Sequence, residues 1–474
     1  MADGPWRLPA VPSDCRAIHI GLPKPGPGAS LPNRHAHSFA QPHAIRRRFA
    51  RDTATSACSF RGQRPPLTET IAAEVCVVGA GPVGGTLACR LAAAGVSTVV
   101  VDRAPLPPME HPDFDGRAFA IAAGSRGLLD AAGLWDRLPE PTCPIEHIRV
   151  SDGRIGRPAS RLFLHFDHRD TGEETDAFGW MVEARSLRVA INAHLHALPA
   201  LRCIAPAEAS VERHAEGATV RIAGGPNVAC RLVVAAEGRN SPLRRQAGIP
   251  VTRLPYGQTG IVSAIAHERP HGNTALEHFL PSGPFAQLPM CAIPDAAHVS
   301  AIVWTERTPI AERVLAMDDS GFGREIARRL GNHLGAVRPI GRRWRYPLGA
   351  LHAHRYFDTR LALIGDAAHG IHPIAGQGLN LGFRDAAALA EAVIEAVESG
   401  ADPGAPDLLQ RYQSARRPAN LLMLAATDGL DRLFSTDNPL IRATRDLGIG
   451  AVHRMPGLKR MFMRQAMGRN VSVD

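Results

Sequence analysis

The chain has 474 residues, 45% hydrophobic and 21% charged, the make-up of a globular protein too long for one simple core. Its formal charge is +9, but residues 1–70 hold nine Arg and one Lys against four acids, so six of the nine charges sit there; the near-neutral body argues against nucleic-acid binding. Eight scattered cysteines without a CxxC pair argue against a disulfide framework or a zinc site and suit a reducing cytoplasm, and no apolar run approaches the ~20 residues of a membrane span.

Residues 1–70 are rich in Pro, Gly, His and Arg without a sustained period, so disorder is expected there. Three accounts of the stretch stay open: a translation start near Leu67–Val75 at a codon other than Met, a genuine tail, and a targeting segment whose amphipathic helix the prolines would break. Order is expected from Glu74. The apolar strand Glu74–Val78 leads into Gly79-Ala-Gly81-Pro-Val-Gly84, then a small-residue helix, Thr86–Ala94, and a strand, Ser97–Val101, that ends in Asp102. This is a dinucleotide-binding βαβ fingerprint. Gly79 makes the tight turn, Gly81 admits a pyrophosphate, Gly84 lets the helix pack closely, and Asp102 stands where ribose hydroxyls are expected. The fingerprint alone does not separate NAD from FAD.

Arg117, in Asp115-Gly-Arg-Ala-Phe-Ala-Ile121, precedes an expected helix at Gly124–Ala132. Trp180–Leu187 reads as the opening of a helix that runs to Leu198, with Arg185 near its start either meeting a phosphate or solvated. Strand Arg231–Ala236 meets Glu237-Gly238-Arg-Asn-Ser241-Pro242, a strand-to-helix turn with good N-caps and Pro at the first helical position. Ile261–Ala266, Leu276–Leu280, Phe285–Ile293 and Val299–Thr305 read as hairpin-like strands of an antiparallel sheet, followed by helical patterns at Pro309–Met317 and Phe322–Leu334. Tyr346–His354 is expected to return the chain to the first domain.

The stretch Gly365–Asp385, GDAAHGIHPIAGQGLNLGFRD, follows a buried strand, Leu361–Ile364, and runs into a helix, Ala386–Val397. The helix start is expected near Gly378–Leu381, where it presents free N–H groups and partial positive charge. Gly376 and Gly378 let the backbone approach a flat, electron-rich ligand. Helices are expected at Leu408–Ala426 and Asp428–Phe434, and a last stretch at Leu440–Met467. Residues 452–470 combine Arg454, Lys459, Arg460, Arg464 and Arg469 with Met455, Leu458, Met461, Phe462 and Met467, and carry no acid. Such a stripe either packs on its own domain or lies on an anionic membrane surface.

Three separated motifs, Gly79–Gly84 with Asp102, Ala236-Glu237-Gly238, and Gly365-Asp366 with its loop, resemble the FAD-dependent aromatic hydroxylases, the single-component flavoprotein monooxygenases. Within them, His372–Asp385 is similar to the ubiquinone-biosynthesis hydroxylases, and Asp115–Ile121 is most like their 2-polyprenyl-6-methoxyphenol hydroxylases. The resemblance covers about residues 74–467. It implies an α/β fold: an FAD-binding Rossmann-like domain of the glutathione-reductase/p-hydroxybenzoate-hydroxylase type, with an inserted antiparallel-sheet substrate domain and C-terminal helices. The expected division is an extension at 1–70, the FAD-binding domain at 71–250 with some substrate-domain strands and again at 351–400, the substrate sheet at 251–350, and helices at 401–474.

The resemblance implies FAD and NAD(P)H as cofactors. It implies O2 and a polyprenylated phenol as substrates, with ring hydroxylation through a flavin C4a-hydroperoxide. Gly79, Gly81 and Gly84 would hold the pyrophosphate and Asp102 the adenosine ribose. Arg117, Arg185, Glu237, Gly238 and Asp366 would contact the rest of FAD. Gly376, Gly378 and Asn380 would surround the flavin ring, with His372, Pro373 and Gln377 as the catalytic set and no metal. His369 is also placed near the ring, where both imidazoles either titrate usefully or only hydrogen-bond the loop. Relatives mostly carry Glu at position 102, Asp at 237 and often Asn at 184, where this chain has Asp102, Glu237 and Ala184. An apolar cleft near Pro284–Pro289 and Pro373 is expected to exclude water. A cytoplasmic location, with peripheral contact at the inner face of a membrane or with a quinone-synthesis complex, accompanies this reading. A reductase or epoxidase of the same fold, or a weakly catalytic flavoprotein subunit, stays as the alternative.

Overall fold

The computed structural model describes residues 69–107, 113–153, 155–156, 163–171, 177–434 and 455–468; of the stretch 1–70 expected to be disordered, residues 1–68 lie outside them and Thr70 opens a strand. Runs of Val, Ile and Leu build a mixed sheet. Leu361–Leu363, Asn227–Ala235, Thr70–Val78, Thr98–Val101 and Leu201–Ile204 lie side by side and parallel. Phe357–Asp358 closes one edge, while Ala218–Ile222 and Ala209–Arg213 extend the sheet antiparallel. Helices Pro82–Ala93, Ala184–Ala197, Gln377–Glu398 and Pro406–Phe434 pack on it through Leu87, Leu91, Ile191, Leu389 and Leu409, so its central strands are buried almost without interruption.

A second sheet has the order His369–Gly370, Val337–Ala353, Val251–His267, Val299–Arg307, Gly283–Met290, Thr274–Leu280, His147–Asp152, Phe163–Asp167. All its pairs are antiparallel except Thr274–Leu280 with His147–Asp152. One face packs Ile261, Phe285, Ile302 and Trp304 against helices Thr308–Leu315 and Asp319–Leu330. The other face packs Ala275, Met290 and Ala301 against a three-stranded sheet of Ala118–Ala122, Gly179–Glu183 and Cys143–Ile145.

Several elements differ from expectation. The first strand starts at Thr70, four residues before Glu74, because Thr70–Ala73 pair with Asn227–Cys230. Gly179–Glu183 is a strand, not the opening of a helix: pairing with Ala118–Ala122 and Cys143–Ile145 overrides its helical pattern, and the helix begins at Ala184. Tyr346–His354 does not return the chain to the first domain; through Ala353 it belongs to a 17-residue strand paired with Val251–His267. The helix expected at Ala386–Val397, with its start near Gly378–Leu381, runs over Gln377–Glu398. The two helices expected across 408–434 are one, Pro406–Phe434, with Pro418 inside. At the C-terminal end, helix Pro456–Ala466 buries Met463 and leaves Met455 and Met461 exposed.

Candidate functional site

Strand register brings the early and late motifs to one edge. Val78 is opposite both Val101 and Ala235, and Ala235 is opposite Leu363. Gly79, Asp102, Ala236-Glu237 and Gly365-Asp366 therefore emerge together at the carboxyl ends of parallel strands, where open α/β sheets bind ligands. Backbone contacts confirm the convergence. Gly79 has φ +103°, and a Cβ there would lie 2.5 Å from the Ala236 carbonyl oxygen. A Cβ on Gly84 would lie 2.0 Å from the Gly79 oxygen, and one on Gly382 would lie 2.6 Å from Val83 Cγ2. The early turn, the middle turn and the late helix touch.

A Cβ on Gly81 or Gly378, by contrast, would meet nothing within 4 Å. These glycines stand at the starts of helices Pro82–Ala93 and Gln377–Glu398, and neither start has a side-chain cap or an acid in its first turn. Two uncapped N-termini beside open space favour phosphate and other electron-rich groups. This donor set fits a dinucleotide bridging the early turn and the late loop.

The acids divide by role. Asp102 accepts the Ala80 N–H at 2.6 Å and the Ala104 N–H at 2.7 Å, which pins the glycine turn and leaves lone pairs for hydroxyls. Asp366 has no hydrogen-bond partner among the described residues. Its side chain is exposed at the surface, while desolvation by the surrounding chain pushes its pKa up, with His369 and Arg239 pulling partly back. It lines a crevice rather than the core. Glu237 accepts from the Ser241 hydroxyl and, at 3.4 Å, from the Leu243 N–H, so it braces helix Pro242–Gln246; burial pushes its carboxyl up. Gly238 beside it, at φ +81°, borders open space.

The two expected arginines already hold carboxylates. Arg117 donates to Asp115 from Nε at 2.9 Å and Nη2 at 2.6 Å, and stacks 4.1 Å from the Trp344 ring centre. Arg185 donates to Glu183 at 2.6 Å and lies 3.4 Å from Glu140. Their backbones are joined by the Ala184 N–H to the Arg117 oxygen at 3.0 Å, so both sit at one end of the three-stranded sheet.

In the late loop, Asn380 accepts the Ala122 N–H at 2.9 Å and donates to the Ala120 oxygen at 2.8 Å and the Gly376 oxygen at 3.2 Å. It straps the loop to the three-stranded sheet. Gln377 donates to the Ala466 oxygen at 3.3 Å and accepts from Arg384 at 3.2 Å, which ties the loop to the last helix. Pro373 precedes a single turn, Ile374–Gly376, whose Ile374 packs on Phe279 and Phe434, rings stacked at 4.0 Å. His372 is fully buried and neither ring nitrogen has a hydrogen-bond partner among the described residues; Nε2 lies 3.6 Å from Asp431 Oδ1. Its ring meets Tyr256 edge-on at 5.2 Å, and burial lowers its pKa against the opposing pull of Asp431 and Asp428.

His369 does a different job: it lies 2.5 Å from the buried carboxylate of Asp385. Asp385 also accepts from the Gly365 N–H at 3.1 Å and from Arg416 and Asn420 at 2.9 Å each. Burial favours its neutral form, but His369, Arg416 and Asn420 outweigh that, and the carboxyl titrates below its ordinary value. Sequence reasoning missed this network and missed Arg244, which is buried and donates to the Ala367 oxygen at 2.7 Å and the Arg239 oxygen at 2.8 Å, clamping the middle turn to the late loop. In the sequence Arg244 is one of two adjacent arginines with nothing to distinguish it.

A cavity of about 520 Å³ runs between Thr252, Leu254, Ala350 and His352 on the sheet and Arg417, Leu421 and Leu424 on helix Pro406–Phe434. It includes none of the expected site residues, but Leu254, Ala350 and Leu424 pack on Ile371 and Leu381 of the late loop, so it backs onto the site. Among the described residues, one group with metal-ligand chemistry occurs, His147, His165 and Asp167, with ligand atoms within 4.8 Å. Asp167 is held by Arg169 at 2.6 Å, and Arg149 and Lys459 add positive charge, which disfavours a cation there.

Residues 72–427 match the family model of the FAD binding domain. The chain is 50% identical over 397 residues to a ubiquinone hydroxylase, UbiL, of Rhodospirillum rubrum, covering 84% of this chain and 90% of that protein. It is 32% identical over 398 residues to the 3-demethoxyubiquinol 3-hydroxylase of Escherichia coli, covering 83% and 98%. Its fold is similar to the p-nitrophenol 4-monooxygenase PnpA of Pseudomonas putida, with a TM-score of 0.67 at 20% identity, covering 85% of this chain and 100% of that one.

Proposed function

Because the chain belongs to the FAD-binding-domain family and, within it, to the ubiquinone hydroxylases, we propose that it hydroxylates the aromatic ring of a polyprenylated phenol in ubiquinone biosynthesis. The observation that carries this reading is the convergence of the early glycine turn, the Ala236 turn and the late loop at one sheet edge, with open space at Gly81 and Gly378. Bound FAD supplies the electron transfer and oxygen activation, with NAD(P)H as reductant and O2 as co-substrate.

The chain's own residues bind, orient and enclose. The Gly79–Gly84 turn and the start of helix Pro82–Ala93 would hold the pyrophosphate, Asp102 the adenosine ribose and Asp366 the ribityl part. The uncapped start of helix Gln377–Glu398 favours negative charge held against Gly376–Gly378. Phe279, Ile374, Phe434, Val150 and Leu164 form an apolar patch that keeps water from a ring lying against Ile374. The cavity walled by Leu254, Leu421 and Leu424 suits a prenyl chain, which needs apolar contact along its length.

Substrates of this kind dissolve in lipid, and we propose peripheral contact with a membrane. No described helix is long and apolar enough to cross one. Helix Pro406–Phe434 instead exposes Leu421, Leu422, Leu430 and Leu433, with Leu422 at 70% exposure, alongside the outer wall of the prenyl-chain cavity. Flotation of the protein with anionic vesicles tests this contact; no co-flotation at low salt counts against it.

Complementation of strains that each lack one ring hydroxylase, with quinone intermediates identified by mass, tests the function. Rescue of one strain with disappearance of its accumulated precursor is expected. Failure in every strain, with protein expressed and loaded with FAD, contradicts the ubiquinone assignment.

A further inference from the structure

Strand Thr274–Leu280 reads TALEHFL, and its one acid is Glu277. Glu277 is in register with Ala286 on one side and Val150 on the other, and Val150 with Leu164 beyond. Side chains alternate along a strand, so Glu277 shares its face with Ala275 and Phe279. Phe279, Val150 and Leu164 pack with Ile374, the residue after Pro373, and with Phe434. Glu277 thus looks from the second sheet onto the late loop, in the patch where a substrate ring would lie.

Nothing in the fold accounts for an acid here. No described residue hydrogen-bonds or ion-pairs with Glu277, and its register neighbours are apolar. Glu277 is half-buried, as a group lining a cleft would be. Burial alone pushes its pKa up to about 8. The titratable groups on the packed elements are Asp152, on the same face beside Phe279, His278 and Arg149 on the opposite face, His372 in the loop, and Asp428 and Asp431 on helix Pro406–Phe434; none of them adds to that shift. A desolvated carboxyl without a partner destabilises a fold, and a purely structural position would be better filled by Leu or Val.

We propose that Glu277 is the base that accepts the phenolic proton of the substrate. The substrate O–H bond breaks, a carboxyl O–H bond forms, and the electron pair stays on the phenolate oxygen, which makes the ring carbons ortho and para to it more nucleophilic. A base with this titration range suits a phenol of pKa about 10 near neutral pH. The assignment rests on the reading that the substrate is a phenol.

The test is the pH dependence of hydroxylation by the FAD-loaded enzyme with a short-chain prenyl phenol, NADPH and O2. In the wild type, kcat rises with pH through an inflection near 8. Glu277→Gln keeps the shape of the side chain and removes an unpaired charge. It is expected to fold and bind FAD as before, to lose about 10²–10⁴-fold in kcat and to lose the inflection. Glu277→Asp keeps the base and is expected to keep the inflection at reduced rate. The phenol is expected to bind oxidised Glu277→Gln as it binds the wild type, read without turnover, so that the loss falls on kcat and not on binding. A wild-type profile flat from pH 7 to 9, or a Glu277→Gln variant with unchanged kcat, overturns the proposal and leaves the hydroxylase reading standing. A wild type that hydroxylates no phenol and binds none defeats that reading, and the base assignment with it.

Discussion

Two glycines in one turn separate folding from cofactor binding. At Gly84 a Cβ would sit 2.0 Å from the Gly79 carbonyl oxygen and 2.7 Å from Ala236 Cβ. Neither neighbour is a flexible side chain, so Gly84→Ala must push the helix off the strand by an ångström or more, at about 1–3 kcal/mol. Gly81 has φ −63° with extended ψ, which alanine also adopts, and a Cβ there meets no atom within 4 Å. The smaller entropy of the unfolded chain, about 0.4–1 kcal/mol in favour of alanine, roughly offsets the poorer N-cap, about 0.5–1 kcal/mol against it. The Gly81→Ala apoprotein should therefore melt within a degree or two of wild type. The same methyl occupies the space where the pyrophosphate would approach the helix start, so FAD should bind about 100-fold more weakly, or about 2.7 kcal/mol. Thermal melts of the apoproteins and FAD titration by flavin fluorescence measure both quantities. A Gly81→Ala protein with FAD affinity within a factor of about three of wild type would show that no phosphate passes that glycine, and the cradle argument would fail.

Asp366→Ala should yield colourless purified protein, because it removes the crevice acid that no described residue hydrogen-bonds; full yellow absorbance would show that Asp366 is not a principal cofactor contact. Asp385→Asn leaves Arg416 and His369 without their buried carboxylate and should cost about 3–5 kcal/mol in urea unfolding, whereas a cost below about 1 kcal/mol would mean the network is solvated. Asp385 also sets an acid limb: its folded pKa is depressed, so its contribution is present above the unfolded value near 3.8 and is lost as pH falls below it; Asp385→Asn should flatten that limb in melts. Glu277 acts with the opposite sign. Its folded pKa of about 8 lies above the unfolded 4.5, so it destabilises the fold progressively as pH rises between those values, by up to about 5 kcal/mol before water in the cleft reduces it. Glu277→Gln should therefore raise the melting temperature at pH 8 and not at pH 4; an equal effect at both would place the carboxyl in free solvent.

Local signals carried the cofactor half of the fold. Gly79, Gly84 and Asp102 are legible because their spacing reflects one turn and one crossover, and Leu361–Ile364 because a short apolar run before Gly-Asp has few other readings. Long-range pairing was the hidden part. Val337–Ala353 carries exposed arginines at 338, 342 and 345, so its strand character depends on Val251–His267, some eighty residues earlier. Trp180–Glu183 has a helical pattern and becomes a strand only because two partners flank it. The start of helix Gln377–Glu398 was legible near Gly378–Leu381 although glycine disfavours helices; Gly382 is there because Val83 leaves no room for a side chain. At the site, the resemblance placed the loop, but not what its side chains touch. Asn380 and Gln377 turn out to brace it, His369 to join a buried network, and Glu277, one acid in an apolar strand, gains meaning only from the face that register gives it.

Oxygen labelling tests the account most directly. FAD-loaded protein is supplied with NAD(P)H, a prenylated phenol and ¹⁸O₂, and the product is weighed by mass spectrometry. One labelled oxygen per hydroxylated ring is predicted, with one NAD(P)H consumed for each. Hydroxylated product carrying only unlabelled oxygen, or steady NAD(P)H consumption that leaves the phenol unchanged, would contradict it.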